Sequence, residues 1–197
     1  MTATLVSIIG PPASGKTTLA RYVAETLGAQ LVFEDFESNP FLADSYTGCD
    51  SAALPAQLHF LLSRVAQLNE RHWPGDGIVV SDYGFCQDQL YASCKLDEGE
   101  YRFYFELADW LGEQVIPPSL VISLDASIAT LQKRIRDRGR GYETGMDEAF
   151  LTEMRKAYNN IERELPCPVI QVDTDAVDVL STEGREALLV QVREKLV

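Results

Sequence analysis

Residues 10–17, Gly10-Pro11-Pro12-Ala13-Ser14-Gly15-Lys16-Thr17, fill every fixed position of the pattern G-x-x-x-x-G-K-T. An apolar run, Leu5-Val6-Ser7-Ile8-Ile9, precedes them, and a helical pattern from Thr18 to Leu27 follows. The segment therefore reads as a loop between a strand and a helix. Its chemistry is anion binding. Glycines let the backbone close around phosphate oxygens with N–H groups pointing inward, and the helix N-terminus adds positive potential. Lys16 has the reach and charge for β- and γ-phosphates, and Thr17 offers a hydroxyl to Mg²⁺. The expectation is a nucleoside triphosphate, ATP with Mg²⁺, held by Gly10, Pro11, Pro12, Ala13, Ser14, Gly15, Lys16, Thr17 and Thr18.

Three further segments bear on where the γ-phosphate goes. Glu34 and Asp35 stand where a second apolar run ends. In open α/β sheets the carboxyl ends of strands line the ligand crevice. A carboxylate there can take the proton of an attacking hydroxyl, and it repels an acceptor that is already phosphorylated. A solvated acidic loop end fits the same residues. Next, Ile78-Val79-Val80-Ser81-Asp82 ends an apolar strand in a carboxylate, as a Walker B element does, which makes Asp82 with Thr17 the candidate Mg²⁺ site. Asp125, at the end of Leu120-Val121-Ile122-Ser123-Leu124-Asp125, competes for that role or caps the helix starting near Ser127. Last, Lys133-Arg134-Ile135-Arg136-Asp137-Arg138-Gly139-Arg140 carries five cations in eight residues. Arg134 and Arg138 lie on one helix face, and Gly139 ends the helix so that Arg140 can fold back. A clamp closing over phosphates explains such a cluster; a solvated face or a nucleic-acid patch is the alternative.

The elements that must position these groups are short β-branched strands alternating with helices. Strands are expected at Leu5–Ile9, Gln30–Phe33, Gly77–Ser81, Leu120–Leu124 and Val169–Val172. Helices are expected at about 15–27, 54–72, 86–95, 100–115, 127–137, 147–164 and 183–196. Continuous apolar strands of this length suit a parallel sheet covered on both faces. The fold class is therefore α/β, a doubly wound, five-stranded parallel sheet flanked by helices. Pro117-Pro118 and Trp73-Pro74-Gly75-Asp76-Gly77 punctuate it, and residues 40–53 and 138–147 are the least regular stretches.

With 197 residues and no linker or repeat, residues 1–197 read as one domain. The apolar fraction, 46%, suits a soluble globular chain, and a net charge of −13 argues against a general nucleic-acid binder. Positive charge must therefore be concentrated locally, as it is in residues 133–140. The four cysteines form no C-x-x-C pair and read as reduced thiols. The N-terminus lacks the features of a signal peptide, and no run has membrane-spanning length. The expected compartment is the cytoplasm, with no membrane partner.

Taken in order, the phosphate loop, Glu34, a Gln-bearing helix, Ser81-Asp82 and the segment Arg134…Arg138-Gly139-Arg140…Glu143 resemble the deoxynucleoside kinases, which include the deoxycytidine, deoxyguanosine and bacterial deoxyadenosine kinases. The likeness spans roughly residues 4–175, and Asn39-Pro40-Phe41-Leu42 is similar to the bacterial branch. The resemblance implies a P-loop NTPase fold with an arginine-rich LID at about 134–147. It implies Glu34 as catalytic base, and Tyr46 with Glu143 at the sugar 3′-hydroxyl. Gln57 pairs with the base, Arg64 makes a second base contact accompanied by Asp88, and Arg134, Arg138 and Arg140 hold phosphates. Gln57 and Arg64 are two helical turns apart, so they project from one face, and a Gln amide can bond a base edge in two places. The adenine of ATP is expected near the LID base and the loop Asp173-Thr174-Asp175. A homodimer through helices packed side by side is also implied. His59 and His72 match nothing; they read as a helix-surface or pocket-wall residue and a helix terminus.

One departure stands out. The family has Asp/Glu-Arg-Ser where this chain has Asp82-Tyr83-Gly84. Tyrosine donates a hydrogen bond but carries no positive charge. Two consequences are open: weakened catalysis, or an acceptor pocket reshaped around Tyr83. The expected reaction is transfer from ATP to the 5′-hydroxyl of a deoxynucleoside. The alternatives are a kinase of another small molecule or of a nucleoside monophosphate such as thymidylate, or a regulator that binds ATP and transfers nothing.

Overall fold

A computed structural model describes residues 3–47, 49–69, 71, 73, 75–177 and 181–196. His72 lies outside the described residues. Five strands, β1 (Thr4–Ile9), β2 (Gln30–Val32), β3 (Ile78–Ser81), β4 (Leu120–Asp125) and β5 (Val169–Asp173), form one sheet in the order β2-β3-β1-β4-β5, all parallel. β1 and β4 are almost wholly buried because helices cover both faces. Successive side chains take opposite faces. Val6 and Ile8 of β1 pack with Leu19, Val23 and Val192 on one side. On the other side, Leu5 packs with Val79, and Ile9 packs with Leu90, Val121, Met154 and Tyr158.

The helices begin and end where local chemistry allows. α1 (Lys16–Leu27) starts after Gly15, at φ 104°, and stops at Gly28, at φ 62°. α5 (Glu98–Gly112) begins two residues earlier than the apolar pattern predicts. There Asp97 and Glu100 form a reciprocal capping box that satisfies the first free amides. α6 (Ile128–Arg138) is capped by the Ser127 hydroxyl and closed by Gly139 at φ 66°; α7 (Glu148–Glu164) is capped by Asp147 and α8 (Thr182–Lys195) by Ser181. α4 (Gln87–Lys95) follows β3 after a short turn.

Two stretches expected to be irregular are not. Residues 40–53 contain a one-turn helix α2 (Leu42–Tyr46), and residues 141–145 form a 3-10 turn, Gly141–Gly145. Apolar anchors order both: Tyr46 and Met146 pack into one cluster with Ala126, Leu131, Ile135 and Leu151. α3 runs Asp50–Gln67, not 54–72. The helix starts a full turn before Pro55 and carries the proline inside. At the other end α3 stops short of 72, and Leu68 closes it by donating its backbone N–H to Arg64 O at 2.8 Å. Among the described residues no helix is long and apolar enough to cross a membrane, and Cys49, Cys86, Cys94 and Cys167 are all free thiols.

Candidate active site

The phosphate loop owes its shape to backbone conformations that few residues adopt. Gly10 has φ 142°, and a Cβ there would collide with the carbonyl oxygen of Leu124. Ala13 sits at φ 62°, a left-handed position that a small side chain tolerates best. The Ser14 N–H closes the turn on Pro11 O at 3.2 Å, while the buried Ser14 hydroxyl has no hydrogen-bond partner. Lys16 Nζ donates to Gly10 O (2.8 Å) and Pro11 O (3.0 Å). Burial holds Lys16 down, to a pKa of about 8, against the raising influence of Glu34 and Asp82. The loop is a built concavity with an unpartnered hydroxyl and an ammonium bonded only to neutral carbonyls. It fits an anionic phosphate chain.

Asp82 ties this loop to the opposite wall. Its Oδ2 accepts from the Thr17 hydroxyl at 2.6 Å, and its Oδ1 accepts from the Glu34 backbone N–H at 2.8 Å. Burial pushes the Asp82 carboxyl up. Two hard oxygens, one hydroxyl and one carboxylate, therefore stand together beside the loop, a donor set that suits Mg²⁺. Asp125 is not part of that pair. Arg155 holds it through Nε–Oδ1 (2.7 Å) and Nη2–Oδ2 (2.5 Å), and Ser127 caps α6 instead.

A cleft of about 790 Å³ opens from the loop. Its walls bring together Lys16, Thr17, Glu34, Tyr46, Gln57, Arg64, Asp82, Arg138, Arg140 and Glu143, all singled out in the sequence. Gln57 is buried, and its Oε1 has no partner. Arg138 donates to both oxygens of Glu143, at 2.9 and 2.6 Å, and Arg140 lies 3.5 Å from the same carboxylate and 4.1 Å above the Phe36 ring. Glu34 Oε1 accepts from Arg64 and from Gln87 Nε2 (3.1 Å). Arg64 also pairs with buried Asp88, whose other oxygen accepts from the Tyr104 hydroxyl at 2.7 Å.

Several expectations need correction. Arg134 is not beside Arg138 and Arg140 in the cleft. Its fork is taken up by Thr174 Oγ1 (2.9 Å) and Thr174 O (3.2 Å), with Ala13 O and Ser14 O at 3.5 Å, so it braces the loop from the β5 side. Four residues along α6 share a face but are about 6 Å apart along the axis, enough to serve two different sites. Asp173 and Asp175 border a depression of their own with Asp125 and Arg155, where Asp175 accepts from Ser127 N–H at 2.7 Å, and their loop meets α6 through the Arg134–Thr174 contacts. Hydrogen bonds from Thr130 and then Ser127 hold the Asp175 carboxyl below its usual value. Asp88 lies behind Arg64, outside the cleft wall, and Thr18 is exposed on the first turn of α1.

Tyr83 is the plainest correction. It is fully buried among Ala3, Leu5, Leu68, Trp73 and Val79, and its hydroxyl donates to Gln67 Oε1 at 2.6 Å. It does not line the cleft. Alternation along β3 puts residue 83 on the side of Val79, away from Asp82. Gly84 is required by packing as well: a Cβ there would lie 2.7 Å from Ile9 Cγ2. A reshaped acceptor pocket does not describe Tyr83; it fills the core. Sequence reading also missed Gln87 and Tyr91, which occupy successive turns of α4. Their signal was available, since α4 starts directly after the carboxyl end of β3 and its first turns must border the crevice.

A family model described as "Deoxynucleoside kinase" matches residues 6–197. Among curated proteins, the chain is similar to a deoxyguanosine kinase of Bacillus subtilis (strain 168), 28% identical over 205 residues, covering 100% of this chain and 99% of the relative. It is also similar to a deoxyadenosine kinase of Lactobacillus acidophilus, 27% identical over 208 residues, covering 98% and 96%. Among solved structures, the deoxyadenosine kinase from M. mycoides with products dCMP and a flexible dCDP bound superposes with a TM-score of 0.83. It is 21% identical, over 97% of this chain and 99% of the other.

The Lys16 geometry makes a pH-dependent prediction. With its pKa near 8, Lys16 is about half deprotonated at pH 8, and phosphate oxygens favour its charged form. Binding a nucleoside triphosphate at pH 8 should take up about half a proton, read as a binding heat that depends on the buffer's protonation enthalpy. Lys16→Arg, charged throughout, should lose that dependence. Equal heats in all buffers at pH 8 would contradict the assignment.

Proposed function

The chain belongs to the deoxynucleoside kinase family, and on that premise we propose that it transfers the γ-phosphoryl group of ATP to the 5′-hydroxyl of a deoxynucleoside. The observation that carries the proposal is the arrangement within one cleft. A phosphate loop stands at one end, the Glu34 carboxylate beside it, and a buried amide oxygen without a partner, Gln57 Oε1, lies beyond.

In this reading the loop amides and Lys16 hold the phosphate chain, and Thr17 and Asp82 face the cation. Mg²⁺ supplies charge neutralisation on the phosphates when bound. Glu34 accepts the proton of the 5′-hydroxyl as its oxygen bonds to phosphorus, and the bond from phosphorus to the bridging oxygen breaks to release ADP. Arg138 and Arg140 leave Glu143 for the transferring phosphoryl, as a LID, and Arg134 keeps the loop in shape. Tyr46 and the freed Glu143 take the 3′-hydroxyl. Gln57 Oε1 accepts from an exocyclic amino group of the base. Adenine, guanine and cytosine carry such a group and thymine does not. Deoxyadenosine, deoxyguanosine or deoxycytidine should therefore be used above thymidine, in keeping with relatives named as deoxyguanosine and deoxyadenosine kinases. A carboxylate at the acceptor position opposes a nucleoside monophosphate in the same place.

The proposed setting is the cytoplasm, where the free thiols stay reduced. The net charge of −13 opposes a nucleic-acid partner. We further propose a homodimer. The adjacent helices α3 and α5 expose Leu62 (58%), Phe103 (56%) and Trp110 (63%), apolar area that a second copy would cover.

Glu34→Gln should leave nucleoside binding in place and lower turnover by about 10²–10⁴, the scale of general-base loss. An unchanged rate, or a protein that binds ATP and phosphorylates no member of a nucleoside panel, would contradict the reading. In sedimentation equilibrium the protein should have the mass of two chains, and Trp110→Glu should shift it toward one. A single-chain mass for the unmodified protein would remove the dimer.

A further inference from the structure

We propose that Arg64 is a positioning residue for Glu34, orienting the carboxylate that accepts the substrate proton, and that reading the base is not its main task. The proposal rests on the phosphoryl-transfer reading above. Arg64 is buried, with 3% of its side chain exposed. Its fork is fixed from behind. Nη1 pairs with Asp88, which is fully buried and accepts from the Tyr104 hydroxyl on its other oxygen. The Phe60 ring lies 5.1 Å from the guanidinium carbon. With that edge locked, Nε (3.1 Å) and Nη2 both donate to one atom, Glu34 Oε1.

Gln87 Nε2 is a third donor to Oε1, and Gln87 is itself steadied by the Tyr158 hydroxyl at 3.4 Å. Among the described residues no donor reaches Glu34 Oε2. The carboxylate is thus held by one oxygen and left open at the other, on a side chain that borders the cleft with 23% exposure. A planar guanidinium suits this task because its donors have fixed directions. The Tyr83 ring lies 5.8 Å from the Arg64 guanidinium carbon, and its hydroxyl is committed to Gln67. Among the described residues, Arg64 is the only guanidinium bonded to Glu34.

A base-reading residue and a base-positioning residue fail differently when removed. Arg64→Ala leaves Asp88 buried without its cation, so the double variant Arg64→Ala/Asp88→Asn is measured beside it, with retained ATP affinity as the check on folding. For deoxyadenosine, deoxyguanosine and deoxycytidine alike, kcat should fall about 10²-fold, the cost of a misplaced reacting group. The ranking of nucleoside KM values and the KM for ATP should be kept. Added guanidinium ion should restore part of kcat, and Arg64→Lys should lie between the two. Near-normal kcat with a KM loss confined to one base would overturn the proposal. A readout independent of turnover separates this failure from failure of the reaction assignment. In NMR the Arg64 Nε–H should be protected from solvent exchange, and Glu34→Ala should abolish the protection. Protection unchanged in Glu34→Ala would also overturn it.

Discussion

Asp82 couples the two halves of the cleft through its two oxygens, one on the Thr17 hydroxyl and the other on the Glu34 backbone N–H. This is possible because β3 lies between β2 and β1 in the sheet, so its carboxyl end falls between the end of β2 and the phosphate loop. Through this one side chain the strand order sets the distance between a phosphate site and a carboxylate. Burial raises the cost of keeping Asp82 ionised, and the two hydrogen bonds offset it. The same carboxylate faces the place where a divalent cation would complete the charge balance.

Around this frame the buried charges are matched in sequence. Arg64 stands between Glu34 and Asp88, Asp88 is closed by Tyr104, and Arg138 and Arg140 share Glu143. An isolated charge in such surroundings is expensive, and these groups are paired, whereas Lys16 rests on the neutral carbonyls of Gly10 and Pro11. The pairs differ in what they leave open. Asp88 is occupied on both oxygens and serves as a fixed anchor, whereas Glu34 has one oxygen free. Glu143 engages two arginines, so a phosphate chain would compete with it for them and release an acceptor beside Tyr46. The acidic chain thus gathers cations at the cleft, by internal pairing, despite a net charge of −13.

What could be read from the sequence divides by the range of the interactions involved. The phosphate loop was legible because its shape is encoded within eight contiguous residues, with glycines at positive φ where backbone approach demands them. Glu34 and Asp82 were legible because a strand's end is itself a place in the fold. Gln57 was legible by its spacing from Arg64 on one helix. The pairing of Arg64 with Asp88 followed from the resemblance, but its contact with Glu34 was not legible, because Glu34 lies on the loop after β2 and only tertiary packing brings the two together. Tyr83 was misread because a motif position does not say which face of a strand a side chain takes. The contacts of Arg134 with Thr174 and the loop carbonyls were not legible, because a shared helix face does not fix depth along the axis.

The account turns on Glu34 being the group that meets the acceptor hydroxyl. The most direct measurement is a structure of the protein with a deoxynucleoside and a non-hydrolysable ATP analogue bound together. Glu34 Oε2 should lie within about 2.6–3.2 Å of the 5′-oxygen, with Arg64 still on Oε1 and the γ-phosphate against Lys16. A 5′-oxygen turned away from Glu34, or a nucleoside seated outside the cleft that Gln57 and Tyr46 border, would contradict it.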